Sequence, residues 1–349
     1  LPELRKDPVV ERWTIIAAER AKRPHDFKRS EETHYTPEGK KACQFCYGRE
    51  NETPPEIVAY GRPAGAEPNT PGWRVRVVPN KFPALRKEGD LNRTSVGVYD
   101  RMDGIGAHEV IIETPEHERT LDKMALSDIG EMTSVFRDRI VDLCRDDRLK
   151  YVQVFKNFGI AAGASIQHPH CQLIATPVIP KRVIEELEGA LKYYEFEERC
   201  VFCDIVRQDA ENGRRVVFED DYFVTIVPFA SRFPFEIHVI PKRHEASFIN
   251  ISEEEIYRFS LHLKTIVGKI NRALGVPPYN FMIHTAPCRQ DKLDHYHWHL
   301  ELVPKLTMTA GFELGTGLYI NPTVPEQAAD DLRSVPFDAG EAEVEIKAK

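Results

Sequence analysis

The chain has 349 residues, of which 42% are apolar and 29% charged, and its formal charge is −8. That size predicts two domains, or one large fused one, with a substantial core, and the acidic balance excludes a general nucleic-acid binder, whose affinity would rest on Lys and Arg against phosphates. No apolar run reaches membrane-spanning length and the opening stretch LPELRKDPVVERW is too charged for a signal peptide, so the expected compartment is the cytoplasm, with no membrane partner.

In chain order, strand-like apolar runs are predicted at 13–17, 74–78, 109–112, 151–155, 173–175, 223–227, 236–240, 280–284 and 299–303. Helical patterns fill 127–145, 180–196 and 252–274, the first and third opening on capping-box-like serines, SDIGE and SEEE. Most strands follow one another directly, and the helices are few and long. That order predicts an antiparallel α+β fold rather than alternating βαβ units.

An internal repeat runs through these elements. The first half reads Cys43-x-x-Cys46, then EVIIETPEH ending at His117, then YVQVFKNFG, then His168-Pro-His170. The second reads Cys200-x-x-Cys203, then EIHVIPKRH ending at His244, then YNFMIHTAP, then His297-Trp-His299. The boundary is expected within 177–199, which makes two units, 1–178 and 179–349.

Cys43, Cys46, His117 and His168 make a suitable tetrahedral shell for Zn²⁺, which accepts mixed sulfur and nitrogen ligands. A redox Cys-x-x-Cys is the alternative, but such a pair normally opens a helix after a strand, and KKACQFCYGREN does not read that way. Cys200, Cys203, His244 and His297 repeat the logic. Glu186, His284 and His299 offer a competing shell that would suit zinc or iron, and only one of the two need exist.

In the stretch QHPHCQ, an extended backbone puts His168, His170 and Gln172 on one face and Pro169 and Cys171 on the other. With His168 on a metal, His170 is free, and a neutral imidazole can attack an α-phosphorus when its other nitrogen is held by an acceptor. Gln172 can then donate its amide to a phosphoryl oxygen without supplying an acidic proton, which suits transfer more than hydrolysis. Upstream, NFGIAAGAS places Asn157, Gly159, Gly163 and Ser165 in a loop whose N–H groups can cradle phosphate. Other residues have plainer readings. Cys171 is expected in the core, and Cys144 and Cys288 have no partner suggested by spacing. His25, His34, His108, His238 and His262 are expected to be solvent-facing or capped, and Phe229, Phe233 and Phe235 to serve packing.

Together, RAKRPHDF, Cys-x-x-Cys, VPNKFPAL, NFGIAAGAS, HPHCQ and GFELGTGLYINP resemble the galactose-1-phosphate uridylyltransferase family of the histidine triad superfamily, over nearly the whole chain. The resemblance implies tandem histidine-triad-like repeats, each an antiparallel half-barrel with helices outside, assembled as a homodimer. It implies a ping-pong reaction in which a histidine, here His170, attacks the α-phosphate of a nucleotide sugar, hexose 1-phosphate leaves, and a second sugar phosphate collects the nucleotidyl group, with Gln172 as hydrogen-bond donor to the phosphoryl oxygens. Cys43, Cys46, His117 and His168 would bind zinc; Asn157, Gly163 and Ser165 would contact phosphate, with Arg23 nearby. Gln44, Phe45, Asn80 and Phe82 would line the nucleotide pocket, and Phe312, Gly315, Thr316 and Gly317 would reach the hexose from the partner subunit. The leading expectation is uridylyl transfer between UDP-glucose and galactose 1-phosphate. A branch resembling plant ADP-glucose phosphorylase, with a second Cys-Cys-His-His set and a GFE-x-GTG-x-YINP ending, makes adenylyl transfer to phosphate the alternative. A histidine-triad hydrolase and a non-enzymatic zinc-stapled module rank below both.

Overall fold

The structure, a computed structural model, describes residues 1–17, 19, 24, 27 and 35–340. Arg23, His25 and His34 lie outside the described residues. Fifteen strands are found among the described residues: β1 (Glu3–Lys6), β2 (Trp13–Ile16), β3 (Val58–Tyr60), β4 (Val75–Pro79), β5 (Thr94–Val96), β6 (Tyr99–Arg101), β7 (Ala107–Ile112), β8 (Tyr151–Phe158), β9 (His170–Thr176), β10 (Val216–Glu219), β11 (Phe223–Ile226), β12 (Ile237–Pro241), β13 (Tyr279–His284), β14 (His299–Pro304) and β15 (Tyr319–Asn321). The helices are α1 (Pro37–Lys41), α2 (Leu126–Leu143), α3 (Lys181–Glu197), α4 (Val201–Asn212), α5 (Glu253–Leu274), α6 (Gly311–Thr316) and α7 (Pro325–Ser334).

Ten strands form one sheet in the order β3-β4-β7-β9-β8-β13-β14-β12-β11-β10. Every ladder in it is antiparallel. The order is a mirror: β3, β4, β7, β8 and β9, the first five of these ten along the chain, occupy one side, and β10 to β14 occupy the other in reverse. The seam is β8 against β13, with Phe158 opposite Tyr279 and Val154 opposite Ile283. One apolar core runs across it, joining Val154, Leu173 and Phe136 to Ile266, Phe281 and Leu300. Burial of such side chains, each contributing about 1.5–3 kcal/mol, binds the two sides together.

Helices α2 and α5 pack on each other over this sheet. The periodicity of both was readable, and α5 opens on the predicted capping box, with Glu255 N–H donating to Ser252 Oγ at 3.2 Å and Ser252 N–H to Glu255 Oε2 at 2.8 Å. For α2 the serine expectation fails. Ala125 occupies the cap position and Ser127 lies inside the first turn, because the helix must start early enough to bury Leu126. The helix α4 has no counterpart among the predicted patterns; it follows α3 after two intervening residues and the Cys200 cap, and it buries Val201, Phe202 and Val206. The strand β15 pairs in parallel with β2, Tyr319 opposite Thr14, so GLYINP docks on the first strands of the chain.

Two cysteine expectations are corrected. Cys144, directly after α2, forms a disulfide with Cys288, beyond β13, across a separation of 144 positions. Spacing carried no hint of this pair, since only the seam brings the two together. His262 is also not solvent-facing: it is fully buried in α5, with Nδ1 2.7 Å from Thr225 Oγ1. Cys171 is in the core as expected, its thiol donating to Glu113 Oε1 at 3.0 Å.

Candidate active site

The short helix α1 delivers the first cysteine pair. Thr36 caps it by accepting from Gly39 N–H at 3.0 Å, and Gln167 Oε1 accepts from Thr36 N–H at 3.0 Å, so the loop is tied to the residue just before His168. Cys46 Sγ then lies 3.3 Å from His117 Nδ1 and 3.7 Å from His168 Nδ1, and Cys43 Sγ lies 3.6 Å from His168 Nδ1. A tetrahedral ion with ordinary Zn–S and Zn–N bonds requires S···N edges of about 3.5 Å. The donors fit that shell. The rest of each ring also fits: His168 Nε2–H donates to the Thr114 carbonyl at 2.7 Å, which leaves the Nδ1 lone pair for a metal. Phe45 N–H points at Cys43 Sγ at 3.3 Å, a donor suited to a thiolate. Burial lowers the His168 pKa to about 3, and burial followed by Cys43 pushes the Cys46 thiol up to about 11, so both groups are costly to charge without a cation.

The second set closes in the same manner. Cys203 Sγ lies 3.4 Å from His244 Nδ1 and 3.6 Å from His297 Nδ1, while His297 Nε2–H donates to the Pro241 carbonyl at 2.9 Å. Cys200 joins them, all four donor atoms lying within 4.8 Å of one another. His297 thus sits with the cysteines, while Glu186, His284 and His299, the competing group, lie together within 4.8 Å as a separate buried group. Burial opposes the Glu186 carboxylate, but His284, bonded to it at 3.0 Å, brings its pKa well below the usual range. His238, expected at the surface, is 20% exposed and its ring centroid is 5.5 Å from that of His299, beside a cavity of about 370 Å³.

His170 begins β9 and is 6% exposed. Its Nδ1–H donates to the His168 carbonyl at 2.7 Å, so Nε2 carries the free lone pair. Burial holds its pKa below the ordinary 6.5, partly offset by that carbonyl. At neutral pH the ring is therefore predominantly uncharged, and its free nitrogen is fixed as Nε2. Phe45 packs edge-on to it, centroids 5.5 Å apart, and the buried Lys156–Glu113 pair lies behind it, with Lys156 Nζ 3.3 Å from the His170 carbonyl oxygen.

In front of His170 lies a cavity of about 100 Å³ lined by Asn157, Gly159, Ala164, Ser165 and His168. Gly163 does not line it. At φ 89° it occupies the left-handed region that closes the turn 160–162, which gives it a conformational role in the cradle. Gln172 is half-buried two residues along the strand. Its Oε1 lies 2.9 Å from His108 Nε2, and Ala84 N–H, 3.2 Å from His108 Nδ1, favours the tautomer in which Nε2 carries the proton and donates to Gln172. His108, read from sequence as capped or exposed, thus turns the Gln172 NH₂ outward. Asn80 stands beside it, its Nδ2 3.1 Å from His108 Nε2. Gln44 is half-buried between the two thiols, and Phe82 is 83% exposed. Phe312, Gly315, Thr316 and Gly317 are exposed on and just after α6, and none lines the cavity at His170 in its own chain.

These motifs have known counterparts. A family model described as galactose-1-phosphate uridyl transferase, N-terminal domain, matches residues 1–180, and a domain of unknown function matches residues 106–340. The chain is a member of the galactose-1-phosphate uridylyltransferase family of nucleotidyltransferases. Among its relatives, ADP-glucose phosphorylase from Arabidopsis thaliana is 39% identical, covering 96% of this chain and 93% of that protein. Galactose-1-phosphate uridylyltransferase from Thermotoga maritima is 32% identical over 99% of both. The solved structure of the Arabidopsis thaliana ADP-glucose phosphorylase with bound ADP-glucose superposes with a TM-score of 0.81 at 36% identity, over 97% of this chain and all of that one. A uridylyltransferase structure follows at 0.73 and 27%, over 95% and 97%.

Proposed function

We propose that the chain is an adenylyltransferase of the ADP-glucose phosphorylase kind, working in two half-reactions through His170. In the first, His170 Nε2 attacks the α-phosphorus of ADP-glucose, a P–N bond forms and glucose 1-phosphate leaves. In the second, orthophosphate takes the adenylyl group and frees His170. The observation that carries this is the Nδ1–H bond from His170 to the His168 carbonyl, which aims Nε2 and supports the positive charge it gains. Asn157 and Ser165, in the cavity before His170, would hold the phosphoryl oxygens, and Gln172 would donate its NH₂ to them.

The choice of ADP-glucose rests on the 39% relative, the second Cys-Cys-His-His set and the GFELGTGLYINP ending. It displaces the leading expectation from sequence, uridylyl transfer from UDP-glucose to galactose 1-phosphate. That second reading is supported by the family model and the 32% relative. Zinc in the two Cys₂His₂ sets would staple distant segments, and division into tandem repeats at about 178 accords with the mirrored strand order. The exposure of Phe312 and Gly315 to Gly317 accords with a homodimer in which they serve the partner's hexose.

Mass spectrometry after exposure to ADP-glucose and UDP-glucose tests the choice. An adduct of adenylyl mass on the peptide bearing His170 is expected; a uridylyl adduct alone would establish the second reading, and no adduct from either would overturn both.

A further inference from the structure

We propose that Asn280, on the far side of the seam, is a positioning residue for the phosphate cradle at His170. It stands opposite Asn157 in the β8–β13 ladder. Its Nδ2 donates to Asn157 Oδ1 at 2.8 Å and to the Ala162 carbonyl at 2.8 Å. A carboxamide nitrogen has two protons, so both are committed.

The first bond decides which end of Asn157 faces where. Its oxygen is drawn to the seam, so its NH₂ is turned toward the turn that forms the cavity. There Asn157 Nδ2 lies 3.7 Å from the position a Cβ would take on Gly163. Asn157 lines the cavity beside Ser165 and His170, and Asn280 does not. The NH₂ is the end that a phosphate oxygen requires; a reversed carboxamide would present a lone pair to an anion. The second bond pins the turn 160–162 at its last carbonyl. Asn280 therefore acts on a phosphate it does not touch, and its ligand class is the phosphate of a nucleoside diphosphate or nucleotide sugar.

For chemistry this rests on the transfer reading above; for binding it does not. The test uses the full-length, metal-loaded protein and two measurements: calorimetric binding of ADP and UDP, and the rate of His170 labelling by ADP-glucose and UDP-glucose. Asn280→Ala is expected to lower both by about tenfold or more, the scale of a lost hydrogen bond to a charged group. Asn280→Asp should lose more, because a carboxylate only accepts and would draw the Asn157 NH₂ back to the seam. In the Asn157→Ala background the Asn280→Ala loss should shrink, since the bond between the two carboxamides is already gone and only the contact with the Ala162 carbonyl remains to be lost. Losses that multiply in the double variant would overturn the proposal, as would an Asn280→Ala protein that binds and labels like wild type. Melting temperature and zinc content, unchanged in Asn280→Asp or Asn280→Ala, separate positioning from misfolding. If wild type is labelled by no nucleotide sugar, the transfer reading falls, and calorimetry still decides the role of Asn280.

Discussion

His170 and Gln172 differ in what holds them. The histidine is oriented by the backbone two residues earlier, the glutamine by a side chain from the neighbouring strand, His108. Replacing His170 with Ala should abolish the nucleotidyl adduct while zinc content and melting temperature stay as in wild type; an adduct that persists elsewhere would remove His170 from the chemistry. Because burial lowers the His170 pKa below 6.5, the reactive neutral form is already present at pH 6.5 and above. The labelling rate should therefore be flat from neutral pH upward and fall only on acidification below that value; a rate still rising through pH 7 to 8 would contradict it. His108→Ala and Gln172→Ala should each reduce transfer by about tenfold, with little further loss in the double variant. His108→Asn, which keeps a donor, should recover part of it, and a variant that is simply unstable would not show that recovery.

Among the elements, α3 makes the tightest approach. A Cβ on Gly189 would overlap the Val9 carbonyl in the turn between β1 and β2, so the helix can lie there only with glycine. Alanine in a helix normally gains about 0.5–1 kcal/mol over glycine. Here the contact is backbone and cannot swing away, and Gly189→Ala is expected to destabilise by about 1–3 kcal/mol in denaturant unfolding. A gain would mean that the turn gives way. Elements are legible where periodicity and punctuation agree, as in α5 with Ser252 and Glu255, and in β8 and β13, expected at 151–155 and 280–284 and found at Tyr151–Phe158 and Tyr279–His284. They are illegible where tertiary partners decide. The segment after Cys200 becomes helical by packing Phe202 and Val206, and three-residue strands such as β3 and β15 exist only through their neighbours.

On the scale of the whole molecule, both cysteine sets could be read because their spacing repeats, whereas Cys144–Cys288 and Asn280–Asn157 could not, because both depend on the seam. The disulfide fastens the end of α2 to the loop after β13, and Arg289 next to it donates to the carbonyls of Cys144 and Leu149. A Cys144→Ser, Cys288→Ser double variant should lose about 2–4 kcal/mol of stability in non-reducing buffer. Wild type in strong reductant should match it, and equal melting of oxidised and reduced wild type would deny the disulfide that role.

The seam also has a consequence for synthesis. The sheet half made of β3, β4, β7, β8 and β9 leaves the ribosome with β8 open along residues that will later meet Phe281 and Ile283, and β13 follows only after α3, α4 and α5. At ordinary elongation rates that edge waits on the order of ten seconds. Throughout the wait it is a template for pairing with any other nascent strand, and the Asn157 carboxamide has nothing to orient it. The newborn protein is thus most prone to aggregate and least able to hold phosphate during the same interval, and the arrival of one strand ends both.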